Sequence, residues 1–480
     1  SDCLMFTEES TKNLYFFIYI SDKINYKIFR GKEEKEKANN ITFKKGIADA
    51  YSYYSTFSEN LKGTIPSDIE NTNSYWLNED SSIGMYTVNN KKLIGNPQTP
   101  RLLSANFILD FNGYSILFKK EVIFKYNDPV KGEVYQPFEI LPMVTAKISN
   151  KVNIFANNNS KEIPITITSA KDSISGDISL SYPKGWNINP EQINFSIDKK
   201  GEQKTVIFKI TPPDYQSKGK IAPIVKIGGQ IFNKELVEIN YDHIPKQSVL
   251  LPSEAKVVRL DIKTKGNLIG YVQGAGDNVP VSLRAIGYSV VELNENDISA
   301  EKLQNFDAVI LGIRAYNVND RAKFYQEELH KYTEKGGTLI AQYNTNHRIK
   351  VDNLAPFPLK LSRDRVVEED APVLILDTKH ELMNYPNRIT DIDFQGWIQE
   401  RGLYFPNEWS DAFTPLLSMN DKGESPKKGS LLIAQYGKGH FIYTGLSFFR
   451  ELPEGVPGAY KLFANMISVG KNNIQNQLKK

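Results

Sequence analysis

A single cysteine, Cys3, stands among the 480 residues of this chain. One thiol excludes an internal disulfide framework and a multi-cysteine metal site. Histidine is also scarce, at five. No apolar run reaches the ~18 residues that a membrane-spanning helix requires. The start at Ser1-Asp2-Cys3 carries no signal peptide, and so abrupt a start suggests a fragment or a processed product. Excess charge of one sign is missing as well. Lys plus Arg is 59 against 56 for Asp plus Glu, a net charge of +3. The one dense charged run, Arg30–Lys37, mixes signs, which argues against a nucleic-acid partner. What is present suits folded domains. The chain is 40% hydrophobic and 11% aromatic, and its length suggests about three domains at ~150 residues each.

Residues 1–143 read as a β-sandwich domain. Leu14–Ile20 is a compact apolar-aromatic run, Phe107, Leu109 and Phe111 alternate, and Val122–Tyr126 ends at Asn127-Asp128-Pro129. Short runs at turn-marked intervals are the signature of sandwich strands. Ala48–Phe57 reads as an aromatic strand because of its tyrosines. Residues 144–245 repeat the style more cleanly, with short strands at Ile165–Thr168, Gly176–Tyr182, Phe195–Ile197 and Thr205–Ile210. Trp186, just after Pro183-Lys184-Gly185, reads as a plug between two sheets, with sugar stacking as the alternative. His243–Leu251 reads as a linker.

Residues 250–470 change character, and 471–480 form a tail. Leu268–Val272 runs into Gly274-Ala275-Gly276-Asp277, a helix starts near Pro280, and strands follow at Tyr288–Leu293 and Ala308–Leu311. A long helix at Arg321–Glu334 then leads through Gly336-Gly337 to Thr338–Gln342. Strands alternating with helices predict parallel βαβ units. Such sheets bind ligands at the carboxyl ends of their strands. Those ends carry Gly274, Gly276 and Asp277, then Arg314 and Tyr316, then Asn344, His347 and Arg348. The predicted architecture is thus two β-sandwich domains followed by an α/β domain.

Several blocks carry a resemblance. The stretch 180–213, LSYPKGWNINPEQINFSIDKKGEQKTVIFKITPP, resembles the immunoglobulin-like domain associated with sugar-binding modules of bacterial glycosidases. Residues 267–348, with YGKGHFIYTGLSFF at 436–449, resemble the α/β, flavodoxin-like fold of class I glutamine amidotransferases, close to the ThuA (trehalose-utilisation) branch. SYWLNED, YNDPVKGEVYQP, LSRDRVVEEDAPV, GWIQERGLYFPNEW and GLSFFRELPEGVPGAYKLFAN, in that order, resemble the C-terminal half of large Bacteroidetes-type proteins of the PIG-L (LmbE-like) deacetylase family. The resemblance implies an N-terminal zinc-dependent N-deacetylase domain as partner and a periplasmic or extracellular location. It also departs from the family. The zinc motif is a His-Pro-Asp-Asp-type run, and no His-Pro dipeptide occurs here. The resemblance therefore implies a deacetylase parent without deacetylase chemistry, metal or cofactor in these residues.

The amidotransferase reading also lacks its nucleophile. A thiolate attacks an amide carbon at neutral pH with histidine as base. Tyr343-Asn344-Thr345 occupies the turn after the fourth strand. Thr345 with His347 is a poor pair, because residues so close in a turn seldom align. No catalytic residue is therefore assigned, and the alternatives are a hydrolase that uses a nucleophile other than cysteine in this pocket and a structural module docking the deacetylase domain. The mixed donors and acceptors beside aromatic groups suit a hydroxyl-rich ligand, and the family resemblance implies that this ligand is a carbohydrate or glycan. Against this stands a pairing of Arg314 with Asp277 that merely braces the loops. Trp397, Glu400 and Arg401 form a further candidate rim or a docking face for the deacetylase domain, since Trp and Arg dominate interface energetics. Arg363–Asp370 reads as surface charge. A metal set of His380, Asp391 and Asp393 has no diagnostic spacing. His440 opens a strand after Gly437-Lys438-Gly439 and joins the candidates, with a merely satisfied polar residue as the alternative.

Overall fold

The computed structural model describes residues 69–471, apart from 83, 102, 112 and 113, together with short backbone strands before residue 62. In the N-terminal region Leu14–Tyr19 pairs with Leu4–Met5 and Thr56–Leu61. Ile24–Arg30 lies between Asn39–Ile41 and Leu103–Phe111, which turns back into Tyr114–Glu121. A hairpin of Ile123–Asp128 with Gly132–Pro137 follows. All these pairings are antiparallel. Residues 48–55 of the expected aromatic strand lie outside the described residues.

The second region is a sandwich of two sheets. One has the strand order Val144–Ile148, Lys161–Ser169, Gln203–Thr211, Asn187–Asn189. The other runs Val152–Phe155, Ala255–Arg259, Ser217–Ile227, Ile174–Ser181, Gln192–Ile197, with Gln230–Phe232 at its side. Period-two alternation decides which faces pack. Ile163, Ile165 and Ile167 point inward from one strand, and Val206, Phe208 and Ile210 from its neighbour. Trp186 sits between the sheets, 5% exposed, edge-on to Phe155 at 5.1 Å, with its indole N–H donated to the Ser217 hydroxyl at 3.1 Å. It is core, which leaves no face for sugar stacking.

Two sequence expectations are corrected here. Residue 245 is not the sandwich boundary, because Ala255–Arg259 completes its second sheet, parallel to Val152–Phe155 and antiparallel to Ser217–Ile227. Nor is His243–Leu251 a linker. Gln247–Pro252 pairs in full with Lys234–Ile239, setting Leu250 opposite Leu236. The Asn73 side-chain amide bonds both backbone groups of Leu250 at 3.0 Å, tying the N-terminal region to this hairpin.

The third region is built on one seven-stranded sheet. Its main members are β1 (Leu268–Val272), β2 (Ser289–Leu293), β3 (Ala308–Leu311), β4 (Thr338–Gln342), β5 (Leu431–Tyr436) and β6 (Gly439–Thr444). The order is β2-β1-β3-β4-β6-β5, ending in the short Thr414–Pro415. The first five are parallel, β5 runs antiparallel to β6, and Thr414–Pro415 runs antiparallel to β5. Strands buried on both faces read as continuous apolar runs, and alternate residues of β3 show why. Ala308 and Ile310 face one core with α1 (Val279–Ala285) and the C-terminal helix Pro457–Ser468. Val309 and Leu311 face the other, with Ala322–Glu334. Between β4 and β5 the chain makes two antiparallel pairs, Leu359–Val366 with Gly402–Trp409 and Val373–Ile375 with Leu417–Met419.

The sandwich and the α/β region share a core. Ile154 and Val258 belong to the same apolar cluster as Ile269, Leu446 and Phe463. At Gly455 (φ +71°) a Cβ would lie 2.9 Å from Ile154 and 3.1 Å from Val152 and Val258. Lys256 adds bonds to the Glu454 carbonyl (2.7 Å) and carboxylate (3.2 Å).

Candidate functional site

The parallel strands deliver four turns to one edge. β1 ends at Gln273–Asp277, β3 at Gly312–Tyr316, β4 at Tyr343–Arg348 and β6 at Gly445–Glu451. The backbones of the first two turns meet closely. Ala275 N–H donates to Ile313 O at 2.8 Å, and a Cβ on Gly274 would stand 2.0 Å from that same oxygen. Gly274 is thus required for the contact between turns.

Asp277 binds neither Arg314 nor a free edge. Its carboxylate accepts the Tyr271 hydroxyl (2.7 and 2.8 Å) and the backbone N–H groups of Val279 (3.0 Å) and Ile313 (3.3 Å). Gln342 donates to the same Tyr271 hydroxyl at 3.0 Å. This buried network fixes β1, β3 and β4 relative to one another. The sequence places Asp277 correctly at the edge, but its polar atoms serve the fold.

Asn344 is likewise spent on the protein and fully buried. Its Oδ1 accepts the Tyr316 N–H and its Nδ2 donates to Gln342 O, both at 3.0 Å. It is a brace, not a ligand contact, and Tyr316 is also fully buried. Asn317 does similar work, receiving Thr345 N–H at 2.9 Å and donating to the carbonyls of Thr345 (3.2 Å) and His347 (2.9 Å). The Thr345 hydroxyl donates to His347 O at 3.1 Å, facing backbone and not the imidazole.

Trp397 and Arg401 are corrected from rim to core. Trp397 is 2% exposed and packs beside Phe394 and Phe448. Arg401 is 4% exposed, with its guanidinium bonded to the carbonyls of Ala371 (3.1 and 2.8 Å) and Phe394. His440 lies opposite Thr338, where β4 begins, so it occupies the other edge of the sheet. The metal alternative is not assembled. His380 Nδ1 accepts Leu382 N–H at 3.1 Å, and Asp393 caps Thr390 and pairs with Lys461 at 3.2 Å. Among the described residues no three His, Cys, Asp or Glu side chains group to hold a metal.

Around Tyr343 a different set converges. Tyr404 stacks parallel to it at 6.3 Å and 7°, and Phe449 leans on it at 5.3 Å. His347 meets the edge of Tyr404 at 6.5 Å. Arg450 lies over Phe449 at 4.8 Å, pairs with Glu400 at 3.0 Å and donates to Gln399. Burial raises the Tyr343 phenol above its ordinary range, while the positive charges of Arg314 and Arg450 pull it down. Both guanidinium groups therefore stand within electrostatic reach of this ring. The predicted residues Arg314, His347, Arg348 and Glu400 belong to this neighbourhood. Tyr343, Gln399, Tyr404, Phe449 and Arg450 were missed. Applying the strand-end rule to the strand before Gly445 would have found Arg450 and Phe449. Nothing in the sequence alone marks Tyr404.

Backbone strain concentrates here. Among the described residues five non-glycines have positive φ, and four of them surround this edge: Arg314 (57°), Arg348 (55°), Gln399 (65°) and Tyr404 (51°). Such conformations cost on the order of 1 kcal/mol each and gather where function over-determines geometry.

Beneath the cluster lies Glu451, fully buried. Its oxygens accept the Ile398 N–H at 3.2 and 3.0 Å and the Ser447 hydroxyl at 3.4 Å. Burial nevertheless pushes its pKa up to about 8. A carboxyl raised on folding contributes full stability below its unfolded pKa and loses it as pH climbs to the folded value. Between pH ~4.5 and ~8 the loss is at most about 1.4 kcal/mol per unit. Glu451→Gln removes the titration. Melting temperatures should converge near pH 5 and favour the variant at pH 8. Parallel profiles across pH 5–9 would refute this assignment.

No family model matches the chain, and no curated protein matches it. Among solved structures it is similar to native α-2-macroglobulin from Escherichia coli, spanning domain MG7 to the C-terminus, at 8% identity and TM-score 0.17 over 24% of this chain and 16% of that one. It is also similar to a family 123 glycoside hydrolase from Clostridium perfringens, at 10% identity and TM-score 0.17 over 42% of this chain and 38% of that one. The chain thus spans less than half the length of either structure, and superpositions this loose bear on neither fold nor chemistry.

Proposed function

We propose that this chain is a carbohydrate-binding accessory region of a PIG-L (LmbE-like) deacetylase-family protein, acting outside the cytoplasm beside an N-terminal deacetylase domain. Its α/β domain is of the flavodoxin-like, class I glutamine amidotransferase type, nearest the ThuA branch, with a pocket that binds and does not transform. The family part of this reading rests on the sequence blocks in their order. The observation that carries the binding part is the strained edge around the Tyr343–Tyr404 stack. Flat aromatic faces beside Gln399, Glu400 and His347 suit the apolar face and the hydroxyls of a sugar ring. The residues at the expected nucleophile position support binding over reaction, because Asn344 and Thr345 direct their polar atoms at backbone. Among the described residues no helix is long and apolar enough to cross a membrane.

The test is a glycan array followed by titration of the hits. Tyr404→Ala removes half of the stack while leaving the buried networks intact. It should weaken binding by about fivefold to tenfold, the loss of roughly 1 kcal/mol of aromatic contact. A silent array would favour a structural module that packs against the deacetylase domain. A hit that Tyr404→Ala leaves unchanged would move the ligand elsewhere.

A further inference from the structure

The charges at the edge do not balance. Three arginines stand there, and among the described residues only Arg450 has a carboxylate partner, Glu400 at 3.0 Å. Asp277, the acidic residue of the adjoining turn, is saturated by Tyr271 and by backbone N–H groups. Arg314 is half-buried, and its Nε is buried with no acceptor. A buried donor left unmade costs ~1–3 kcal/mol, more when charged, so native proteins rarely leave one without a reason.

Arg314 sits on an anchored turn. Its backbone is held in the left-handed region at φ 57° by Arg314 N–H to Tyr343 O (2.7 Å) and by Asn317 N–H to Arg314 O (2.8 Å). The strained turn ties the backbone that carries this uncompensated guanidinium to the Tyr343 carbonyl. Arg348, exposed on the next turn and also left-handed, adds a second unpaired positive charge. Guanidinium groups take planar oxyanions in preference to neutral hydroxyls, through charge-assisted and often bidentate bonds.

We infer that the ligand of this edge is an acidic saccharide, whose carboxylate or sulfate is taken by Arg314 while a ring face lies on the Tyr343–Tyr404 stack. This inference rests on the binding reading above and specifies its ligand class. Carboxylate and sulfate share the chemistry, and the probes separate them.

The experiment titrates the full chain with trigalacturonate and its carboxyl-reduced neutral counterpart, and with a sulfated glucan trisaccharide and its desulfated form. Wild type, Arg314→Gln and Tyr404→Ala are compared at low and moderate salt. One acidic probe should bind at least about tenfold more tightly than its neutral partner. Arg314→Gln should erase that preference, and added salt should shrink it. Whichever acidic probe wins identifies the oxyanion. Equal binding of acidic and neutral probes, still weakened by Tyr404→Ala, overturns the acidic inference and leaves the sugar site standing. Binding that ignores both substitutions, or no binding of any probe, overturns both. Unchanged melting of Arg314→Gln without ligand confirms that a lost preference is not a lost fold.

Discussion

Replacing Arg401 with alanine should lower the melting temperature by on the order of 10 °C, equivalent to about 3–5 kcal/mol. The guanidinium is enclosed by the Ala371 and Phe394 carbonyls and lies 6.0 Å from the Trp397 ring, and its positive charge favours the ionised form of the buried Glu451. Truncation leaves those carbonyls without a donor and takes a favourable charge from a carboxyl already raised by burial. Glu451 then holds its proton to still higher pH. Arg401→Ala should therefore melt early but bind any ligand of the rim normally when kept cold. Wild-type melting with impaired binding would return Arg401 to the rim, where the sequence placed it.

Gly458→Ala should be comparably severe, costing about 3 kcal/mol or more by forced overpacking. A Cβ at this position would stand 1.7 Å from Asp393 O and 2.4 Å from its Cα. Both are backbone atoms, so no side chain can turn aside. The Asp391–Phe394 turn would have to retreat from the C-terminal helix, breaking the bond from the Trp397 indole to Asp393 O at 3.0 Å and the Lys461 pair. Gly423→Ala provides the contrast. Unlike Gly458 it sits at positive φ (82°), but nothing lies within 4 Å of its Cβ position, so only a conformational cost of about 1 kcal/mol remains. A Gly458→Ala protein that melts within 2 °C of Gly423→Ala, on the ~2–4 °C per kcal/mol scale of large domains, would show that the turn yields easily.

The parallel sheet was legible because its strands are continuous apolar runs punctuated by glycine, and the strand-end rule located three of the four turns. Which polar residues in those turns face outward was not legible. Asn344 and Asp277 have the same chemistry whether they grip a ligand or cap a neighbouring loop, and only tertiary geometry assigns them inward. Trp397 and Arg401 misled for a related reason. Residues that dominate interfaces are also the ones that fill a large core when backbone carbonyls are available to a guanidinium. Tyr404 depends on the antiparallel excursion between β4 and β5, whose pairing slips register at Lys360/Leu361, Leu361/Asp364 and Asp364/Val366. No local period announces such a strand. The hairpin strand at Gln247–Pro252 overlaps the stretch read as a linker, and Pro245 stands just outside the pairing.

The joint at Gly455 has a mechanical consequence. Arg450, at the rim, and Gly455, wedged against Ile154 and Val258, lie on one short stretch of chain whose middle is clamped by the Glu451 hydrogen bonds. That stretch works as a stiff bracket. The sandwich cannot swivel against the α/β sheet without dragging Arg450 off Glu400, so the edge around Tyr343 keeps a constant bearing on the sandwich. A long glycan seated there would leave the protein along one fixed heading relative to that domain.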